Sequence, residues 1–354
     1  MGVNIRDITK SQAQVVKREA LFRKVLAVDA MNWIYQFLAT IREPGGGVFT
    51  DHSGRVTSHL VGLFYRNVNF LTLGIKPVYV FDGKPPERKL EEIKRRKAAK
   101  AEARTAMKEA KQAGDLEAAR KFASRTSHVT SEMLQDAKTL LSGLGIPVLD
   151  APEEGEAQSS HMAVRGDVWA VASQDYDCFL FGAPRLVRNL NVSQTRRVGN
   201  VTRTVDVEVY SLEQMLQELE LAREQLVDVG LLVGTDYHEG APRVGAKTAL
   251  KLVKQHGSLE AMLSSDVSVQ GTRLSEWMDL ETYREIRAAF LNPKVTDDYV
   301  DALRWRRPNL RSVREFLVEQ RNFDPNRVTG SLNKLQKTLA KGRPRSLDEF
   351  LKRG

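Results

Sequence analysis

The chain contains very little cysteine: Cys178 is the single thiol in 354 residues. One thiol excludes an intramolecular disulfide and any zinc site built from several cysteines. Cys178 lies in an apolar stretch, which favours a small core residue over a nucleophile. The lack of disulfides is typical of proteins from a reducing compartment.

Long hydrophobic runs are also missing from the chain. No stretch approaches the roughly 20 apolar residues that span a bilayer. The first six residues lack the apolar core of a signal peptide, and Arg6 stands where an N-myristoylation signal needs serine or threonine. We therefore expect a soluble intracellular protein with no membrane partner.

Basic residues are in excess, with 54 lysines and arginines against 45 acids and a net charge of +9. A basic protein of this size commonly binds a polyanion, and nucleic acid is the most frequent one. A surface rich in both charges, as in thermophilic proteins, gives a similar balance, so charge alone leaves both interpretations open.

Short apolar segments alternate with helical patterns through the first half of the chain. The pattern predicts strands at 24–29, 76–82, 146–149 and 168–172, and helices at 33–41, 60–73, 133–144 and 153–164. This alternation predicts an α/β fold with a mainly parallel twisted sheet and helices on both faces. Residues 185–209 have β character and predict a hairpin or an edge, and residues from 211 to about 337 are predicted to be helical.

Residues 83–128 differ in composition from the rest, being dense in lysine, arginine, glutamate and alanine. They favour helix but offer little apolar surface to bury. Two interpretations stay open at this point. The segment is either a solvated helical hairpin with i,i+4 ion pairs or a basic arm for a phosphate backbone.

Three predicted strands run into an aspartate, and further acids lie in the adjoining segments. The full set is Asp29, Asp82, Glu154, Glu156, Asp175, Asp177 and Asp236. A single aspartate after a strand is common, because aspartate favours turns and helix N-caps. Since the carboxyl ends of parallel strands meet at one edge of a sheet, several such acids are expected to converge there.

Carboxylates crowded into a low-dielectric cleft repel one another, and bound cations relieve the repulsion. A ligand set made only of oxygen points to Mg²⁺ or Mn²⁺ rather than Zn²⁺. Two such ions about 4 Å apart can stabilise both the attacking and the leaving oxygen of a phosphodiester. A basic protein with an acidic focus therefore predicts metal-dependent hydrolysis of nucleic acid.

Six ordered motifs resemble those of the flap endonucleases, the archaeal and eukaryotic branch of the 5′-nuclease superfamily. They span residues 28–38, 54–60, 76–86, 151–157, 173–177 and 232–237. The resemblance covers nearly the whole chain and implies a PIN-like 5′-nuclease fold. It implies a nuclease core at 1–337, with a helical arch at 83–128, an internal nuclease region at 129–262 containing a helix–two-turn–helix element at about 226–256, and a tail at 338–354.

The resemblance also implies a role for each of the seven acids, which bind two Mg²⁺ ions in the family, with Mn²⁺ as a substitute. The acids assigned mainly to one ion are Asp29, Asp82, Glu154 and Glu156, and those assigned mainly to the other are Asp175, Asp177 and Asp236. Lys89 and Arg96 match basic residues that hold the phosphate beside the metals. They stand seven positions apart, so a helix projects both from one face.

Further residues match DNA-binding positions of the family. Tyr35 matches a tyrosine that stacks on a base near the cleavage point, and Arg42 and Thr57 fall in segments that contact the duplex and the 3′ flap nucleotide. An arch at 83–128 would be threaded by a 5′ single strand. Because it is basic but poor in aromatic residues, we expect it to hold the backbone rather than to recognise sequence.

Residues 240–248 look at first like a phosphate-binding P-loop, but Ala246 separates Gly245 from Lys247 and the segment follows a helix. The resemblance implies instead the turn of the helix–two-turn–helix element, often built around a monovalent cation, with Arg243, Gly245 and Lys247 contacting duplex DNA. Arg243 replaces the usual first glycine and Ala246 the usual proline, which leaves the turn and any ion site open.

Residues 346–351 resemble the motif that docks on the sliding clamp, with Leu347, Phe350 and Leu351 as the apolar contact. Pro344 stands in place of the usual glutamine, and Leu351 in place of the second aromatic residue. A nonspecific basic tail is the alternative interpretation.

The resemblance implies a structure-specific 5′-flap DNA endonuclease with 5′-3′ exonuclease activity. Its substrate would be branched DNA with a 5′ flap, and its roles would be Okazaki fragment maturation and base excision repair. Its location would be an archaeal-type cytoplasm or nucleoid, or a eukaryotic nucleus. Gap exonucleases, excision-repair and junction-cutting relatives are the nearest alternatives, and the short segment between Asp82 and Glu154 argues against the excision-repair type. An inactive DNA-binding scaffold is a further alternative, although its acids would repel DNA without metal.

Overall fold

The computed structural model describes residues 2–43, 47–86, 128–192, 195–198, 201–265 and 267–341, together with residues 89, 95, 98, 101–103, 105, 106, 109, 110, 112 and 115. Side chains are described for all of these except 195–198 and 201–204. Most of the predicted arch, including Arg96, lies outside the described residues, as do Leu347, Phe350 and Leu351 of the tail.

The strands in chain order are β1 (Gln14–Val16), β2 (Val25–Asp29), β3 (Lys76–Phe81), β4 (Val148–Asp150), β5 (Ala170–Ala172), β6 (Arg185–Arg188), β7 (Thr195–Val198), β8 (Val201–Thr204), β9 (Val207–Ser211), β10 (Ser268–Val269) and β11 (Thr272–Arg273).

The helices are α1 (Arg6–Thr9), α2 (Ala30–Thr40), α3 (Ser58–Thr72), α4 (Ser131–Gly143), α5 (Gly155–Val164), α6 (Asp177–Leu180), α7 (Leu212–Leu219), α8 (Arg223–Val233), α9 (Ala246–His256), α10 (Leu259–Ser264), α11 (Leu274–Trp277), α12 (Leu280–Leu291), α13 (Leu310–Arg314) and α14 (Pro325–Ala340). A π-helical segment, Glu315–Gln320, follows α13.

The chain folds into two compact units, each assembled from three separate stretches. The first unit comprises Met1–Val16, Asp82–Glu92 and Asp150–Thr296, and the second comprises Lys17–Phe81, Ile93–Leu149 and Asp297–Gly354.

In the first unit, four strands lie side by side in the order β1, β9, β6, β5. Strands β5 and β6 are parallel, with Val171 opposite Leu186, whereas β9 runs antiparallel to both β6 and β1. Strands β7 and β8 form a separate antiparallel hairpin. The β character predicted for residues 185–209 therefore corresponds to β6 through the start of β9.

Helix α8 is the central helix of the first unit. It packs against α6, α9, α10 and α12, and its buried residues include Leu226, Val229 and Leu232. A helix surrounded by other helices can be buried around most of its surface, which explains why Leu226 to Leu232 are all buried. Asp228, the acid among them, accepts hydrogen bonds from the Leu259 N–H and the Tyr283 hydroxyl. The position of α8 fixes the turn that follows Val233.

The second unit is built on the parallel pair β2 and β3, in which Asp29 lies opposite Val80. Helix α2 begins directly after β2, because the Asp29 side chain accepts a hydrogen bond from the Asn32 N–H at 3.0 Å and so caps the helix. Trp33 on α2 packs edge-on against Tyr79 of β3, with ring centroids 5.7 Å apart. The apolar runs that predicted buried strands are thus covered by aromatic side chains.

The predicted strands and helices between residues 24 and 172 agree with the structure to within three residues at each end. The region expected to be helical beyond residue 211 also contains the short hairpin β10–β11, which turns at Gln270 and Gly271, both with positive φ. Two-residue strands are too short to give an alternating pattern. Helix α14 extends to Ala340, three residues into the predicted tail. In the described part of the chain, no helix combines the length and apolarity that would cross a bilayer.

A buried ion pair in the second unit provides a test of its packing. Arg321 donates to both carboxylate oxygens of Asp136, at 2.5 and 2.7 Å, and the two side chains are less than a tenth exposed. Arg321→Met leaves a buried carboxylate without a partner and should lower the free energy of unfolding by about 3–5 kcal/mol in urea titrations. Arg304→Met breaks an exposed pair with Asp301 and should change it by less than about 1 kcal/mol. Equal losses in the two variants would contradict this account.

Candidate active site

Asp82 immediately follows β3 and lies against the start of α5. Its Oδ1 accepts a hydrogen bond from the Gly155 N–H at 2.8 Å. A Cβ atom on Gly83 would stand 2.1 Å from the carbonyl oxygen of Ala151, so only glycine permits this close approach of the two backbones. The approach brings Asp82 close enough to Glu154 for the two charges to interact.

Glu156 lies in the first turn of α5 and is tied to the loop after β5. Its Oε1 accepts a hydrogen bond from Ser173 Oγ at 2.9 Å, and the same hydroxyl accepts one from the Asp175 N–H at 3.2 Å. The Cys178 thiol lies 3.8 Å from Glu156 Oε1 and is fully buried. Cys178 is therefore a core residue, as predicted.

Asp177 begins α6 and is buried beneath the N-terminal segment of the chain. Its Oδ1 accepts a hydrogen bond from the Val3 N–H at 2.6 Å. A Cβ atom on Gly2 would stand 2.7 Å from Asp175 Cβ and 3.0 Å from Asp177 Oδ2. The N-terminal segment thus lies directly against two of the predicted metal ligands.

Asp236 lies in the tight turn that follows α8. Gly234 opens the turn with a φ of +105°, a conformation that side chains disfavour, and the Thr235 N–H closes it on the His238 carbonyl at 3.0 Å. Tyr237 donates its hydroxyl to Glu154 Oε2 at 2.9 Å. The turn therefore anchors Asp236 to the segment that carries Glu154.

Lys89 supplies a positive charge to this group of acids. Its ammonium forms a close ion pair with Glu154 and lies 3.5 Å from Asp236 Oδ2. Burial disfavours the charge of Lys89, but Glu154 and Asp236 outweigh burial and raise the pKa of the ammonium. The structure therefore brings Lys89, which was assigned to the phosphate, into contact with two of the acids.

The pKa shifts of the acids show that several of these carboxylates repel one another. Asp82 keeps an exposed edge, but desolvation of its carboxyl raises its pKa, and Glu154 and Asp236 raise it further. Burial likewise raises the pKa of Asp177 to about 7, with Asp236 and Asp175 adding to the effect. Asp236 thus interacts with acids assigned to both ions. Divalent cations suit such a set, because every donor is a carboxylate oxygen and a bound cation favours the charged form.

The acids do not form a preassembled cage. Over the described residues, no three acidic, histidine or cysteine side chains stand close enough together to hold a metal ion. Six of the seven predicted acids belong to the first unit, and several pairs among them interact. Asp29 belongs to the second unit, as the residue that caps α2.

The other predicted DNA-binding residues of the second unit are Tyr35, Arg42 and Thr57. Tyr35 is half-buried in α2, and Thr57 is buried directly before α3, where its N–H donates to the Phe49 carbonyl at 2.7 Å. Arg42 donates its Nε to the Ala39 carbonyl at 3.2 Å, and partial burial lowers the pKa of its guanidinium.

The predicted helix–two-turn–helix element corresponds to α8, α9 and the turn between them. Arg243, Gly245 and Lys247 are all exposed at this turn. Arg243 has a φ of +61°, so it adopts the left-handed conformation expected of the glycine that it replaces. Gly245 caps α9 with an ordinary φ of −95°. The turn therefore forms without the usual first glycine.

Comparisons with known proteins identify the family. Residues 1–103 match the XPG N-terminal domain, and residues 145–236 match the XPG I-region. The chain is 48% identical to Flap endonuclease 1 of Pyrobaculum calidifontis, and the match covers 97% of each chain. The chain belongs to the flap endonuclease family.

Solved structures agree with this assignment. Flap endonuclease-1 from Methanococcus jannaschii has a TM-score of 0.71 and 37% identity over 94% of this chain and 97% of that one. The catalytic core of Rad2 in complex with DNA substrate has a TM-score of 0.72 and 26% identity over 95% of this chain and 100% of that one. These matches confirm the predicted α/β nuclease fold, with a mainly parallel central sheet and helices on both sides. As a flap endonuclease, this protein is a nuclease that acts on phosphodiester bonds.

Sequence patterns missed several residues that shape this flap endonuclease site. Gly2 and Val3 lie far from the acids in sequence, and no local motif marks their contact with Asp177. Tyr237 stood inside a recognised motif but had no role assigned to it. Ser173 also lies inside such a motif and had no role assigned, although its hydroxyl joins Glu156 to the Asp175 loop.

Lys89 provides a test of the electrostatic balance in the site. Lys89→Met removes the ammonium that contacts Glu154 and Asp236, so the metal-free variant should melt at a lower temperature than the wild type. Saturating Mg²⁺ should then raise the melting temperature of the variant more than that of the wild type, because no fixed cation opposes the metal. The measurement is thermal unfolding in EDTA and in Mg²⁺.

Lys294→Met is the matched control, since Lys294 pairs with the neighbouring Glu153 from an exposed position. Its response to Mg²⁺ should equal that of the wild type. Equal Mg²⁺ responses in Lys89→Met and the wild type would show that Lys89 does not oppose a cation at these acids.

Proposed function

We propose that the chain is a Mg²⁺-dependent, structure-specific 5′-flap endonuclease with 5′-3′ exonuclease activity, in which two divalent cations are bound by the predicted acids. The single observation that carries the proposal is the contact of Lys89 with the carboxylates of both Glu154 and Asp236 in the first unit. The remaining support is the identity to Flap endonuclease 1 over nearly the whole chain. The cellular roles proposed are Okazaki fragment maturation and base excision repair.

The acids would hold the metals through oxygen atoms alone. Of the first-unit acids, Asp82, Glu154 and Glu156 would serve mainly one ion, and Asp175, Asp177 and Asp236 mainly the other. Asp29, from the second unit, would join the first of these groups, as the family resemblance implies. Bound divalent cations supply charge stabilisation to the attacking and leaving oxygens of a phosphodiester. Mn²⁺ meets the same ligand preferences and would substitute for Mg²⁺.

Lys89 and Tyr237 would prepare the site for the phosphate. The Tyr237 hydroxyl fixes one oxygen of Glu154, and the Lys89 ammonium lies 5.9 Å from the centre of the Tyr237 ring. Once the acids are neutralised, the half-buried ammonium would be available to a phosphate oxygen, where a positive charge stabilises the charge that develops during hydrolysis. Arg96 is proposed to act beside it.

Branched DNA with a 5′ flap is the proposed substrate. Arg243, Gly245 and Lys247 would contact the duplex backbone from the exposed turn before α9, where backbone N–H groups and two basic side chains suit phosphate oxygens. Tyr35 would stack on a base near the cleavage point, and Arg42 and Thr57 would contact the duplex and the 3′ flap nucleotide. These contacts would select the junction by shape rather than by sequence.

Cleavage of a labelled 5′-flap substrate tests the proposed activity. The pure protein should release the flap near the junction in Mg²⁺ and should be inactive in EDTA. Asp177→Ala should still bind the flap in a gel-shift experiment but should lose cleavage, because it removes one buried metal ligand. Absence of cleavage by the wild type in Mg²⁺ would refute the activity. Normal cleavage by Asp177→Ala would refute the metal assignment.

Two substitutions of Arg243 distinguish the effect of backbone strain from the effect of charge at the proposed duplex contact. Arg243→Gly removes the charge and relieves the left-handed strain, whereas Arg243→Ala removes the charge alone. Both variants should bind flap DNA more weakly. The slope of log binding constant against log salt concentration should become shallower by about one, because one fewer counterion is released. The alanine variant should be the less stable of the two by about 1 kcal/mol in urea unfolding. Arg284→Ala, which breaks an exposed pair with Glu260, is the control. Unchanged DNA affinity in both Arg243 variants would remove Arg243 from the contact.

We also propose that Leu347, Phe350 and Leu351 dock on a sliding clamp. The support is the resemblance of residues 346–351 to the clamp-binding motif, together with the apolar residues that would fill a clamp pocket. Truncation after Lys341 should abolish binding to an archaeal sliding clamp in surface plasmon resonance and leave flap cleavage without the clamp unchanged. Equal clamp affinity for the full and truncated chains would contradict the proposal.

A further inference from the structure

The loop from Ser173 to Asp177 carries two of the proposed metal ligands, and the residue between these two ligands is a buried tyrosine. Tyr176 stands between Asp175 and Asp177 in sequence and is only 3% exposed. Its ring packs edge-on against Tyr210 of β9, with ring centroids 5.7 Å apart. A loop with so short a span between two ligands cannot shift Tyr176 without moving both carboxylates.

Arg188 holds this loop at two points. It is the last residue of β6, the strand parallel to β5, so it lies beside the place where the loop leaves β5. Its Nε donates to the Gln174 carbonyl at 3.1 Å, and its guanidinium carbon lies 4.2 Å from the centre of the Tyr176 ring. Its Nη1 also donates to the Tyr176 hydroxyl. One planar side chain therefore fixes both the backbone and the ring of the loop.

The same Nη1 atom of Arg188 also faces a carboxylate on β9. Glu208 Oε2 on β9 lies 3.9 Å from Arg188 Nη1 and accepts a hydrogen bond from the Tyr210 hydroxyl at 3.0 Å. The Tyr176 hydroxyl lies 3.2 Å from that of Tyr210. Glu208 and Arg188 are paired in the strand register. The result is a closed polar network, with little exposed surface, that joins two strands to the ligand loop.

We infer that Arg188, acting with Tyr176, is a positioning residue that sets the geometry of the Asp175 and Asp177 ligands and thereby the affinity of the site for divalent metal. The inference rests on the proposed function, since it assumes that these carboxylates bind metal. Residues outside the ligand set that orient ligands typically change metal affinity by roughly 10–100-fold when they are removed. Arg188 would act in this way through the loop.

The test measures Mn²⁺ binding to the full chain without DNA, by the loss of the free Mn²⁺ signal in electron paramagnetic resonance. Arg188→Met keeps most of the side-chain stem but loses the guanidinium, and we expect Mn²⁺ affinity to fall by about tenfold or more. The Mg²⁺ concentration for half-maximal flap cleavage should rise by a similar factor, while the rate at saturating Mg²⁺ falls much less. A merely structural role would lower the melting temperature without shifting this metal dependence.

Two further variants keep the test decisive if Arg188→Met folds poorly. Tyr176→Phe retains the ring beneath the guanidinium and loses only the hydroxyl, so it should weaken Mn²⁺ binding by a smaller factor. Arg188→Lys restores the charge but cannot donate to Gln174 and stack on Tyr176 together, so its Mn²⁺ affinity should lie between those of Arg188→Met and the wild type.

Arg185→Met is the matched control, because Arg185 starts the same strand and its guanidinium lies 5.5 Å from the Trp169 ring. Its Mn²⁺ affinity should equal that of the wild type. Wild-type Mn²⁺ affinity and Mg²⁺ dependence in folded Arg188→Met or Tyr176→Phe would overturn the inference alone. A wild type that binds no Mn²⁺ would overturn the proposed function and the inference with it.

Discussion

Repulsion between neighbouring carboxylates is the constraint on which the site depends. Burial and neighbouring acids raise the pKa values of Asp82 and Asp177, so their charged forms are disfavoured without a cation. The protein offsets part of this cost with Lys89 and part with backbone N–H donors, such as those of Gly155 and Val3. The negative charge that these partners leave uncompensated is the basis for the proposed binding of divalent ions.

The fold of the first unit brings segments that are distant in sequence into this arrangement. Gly83 lets the backbone that carries Asp82 approach the segment before α5, and Gly234 lets the turn after α8 close on itself. The buried helix α8 fixes where that turn stands. A few backbone positions that tolerate only glycine thus decide whether Asp82 and Asp236 reach Glu154.

Much of the fold could be predicted from sequence, because it follows from local patterns, and the same patterns nominated the acids. Buried parallel strands give short apolar runs, and Asp29 and Asp82 lie at or just beyond the ends of two of them. The alternation of these runs with amphipathic helices was enough for the fold class. Motif resemblance added Lys89, which the structure places against the acids.

The features that could not be predicted from sequence are contacts between residues far apart in the chain. Val3 meets Asp177 across 174 positions, and Tyr237 meets Glu154 across 83; no periodicity records such pairs. The left-handed conformation of Arg243 was hidden for another reason, since arginine is not a residue that signals positive φ. Local sequence therefore nominates candidate site residues but does not reveal the distant residues that contact them.

The seven predicted carboxylates are proposed to bind two divalent cations. Anomalous diffraction from crystals of the protein grown with Mn²⁺ and a 5′-flap DNA tests it most directly. The account predicts two anomalous peaks within coordinating distance of the acids, one nearer Asp82 and Glu154 and the other nearer Asp175 and Asp177. Absence of anomalous density at these carboxylates, with Mn²⁺ bound elsewhere, would contradict it.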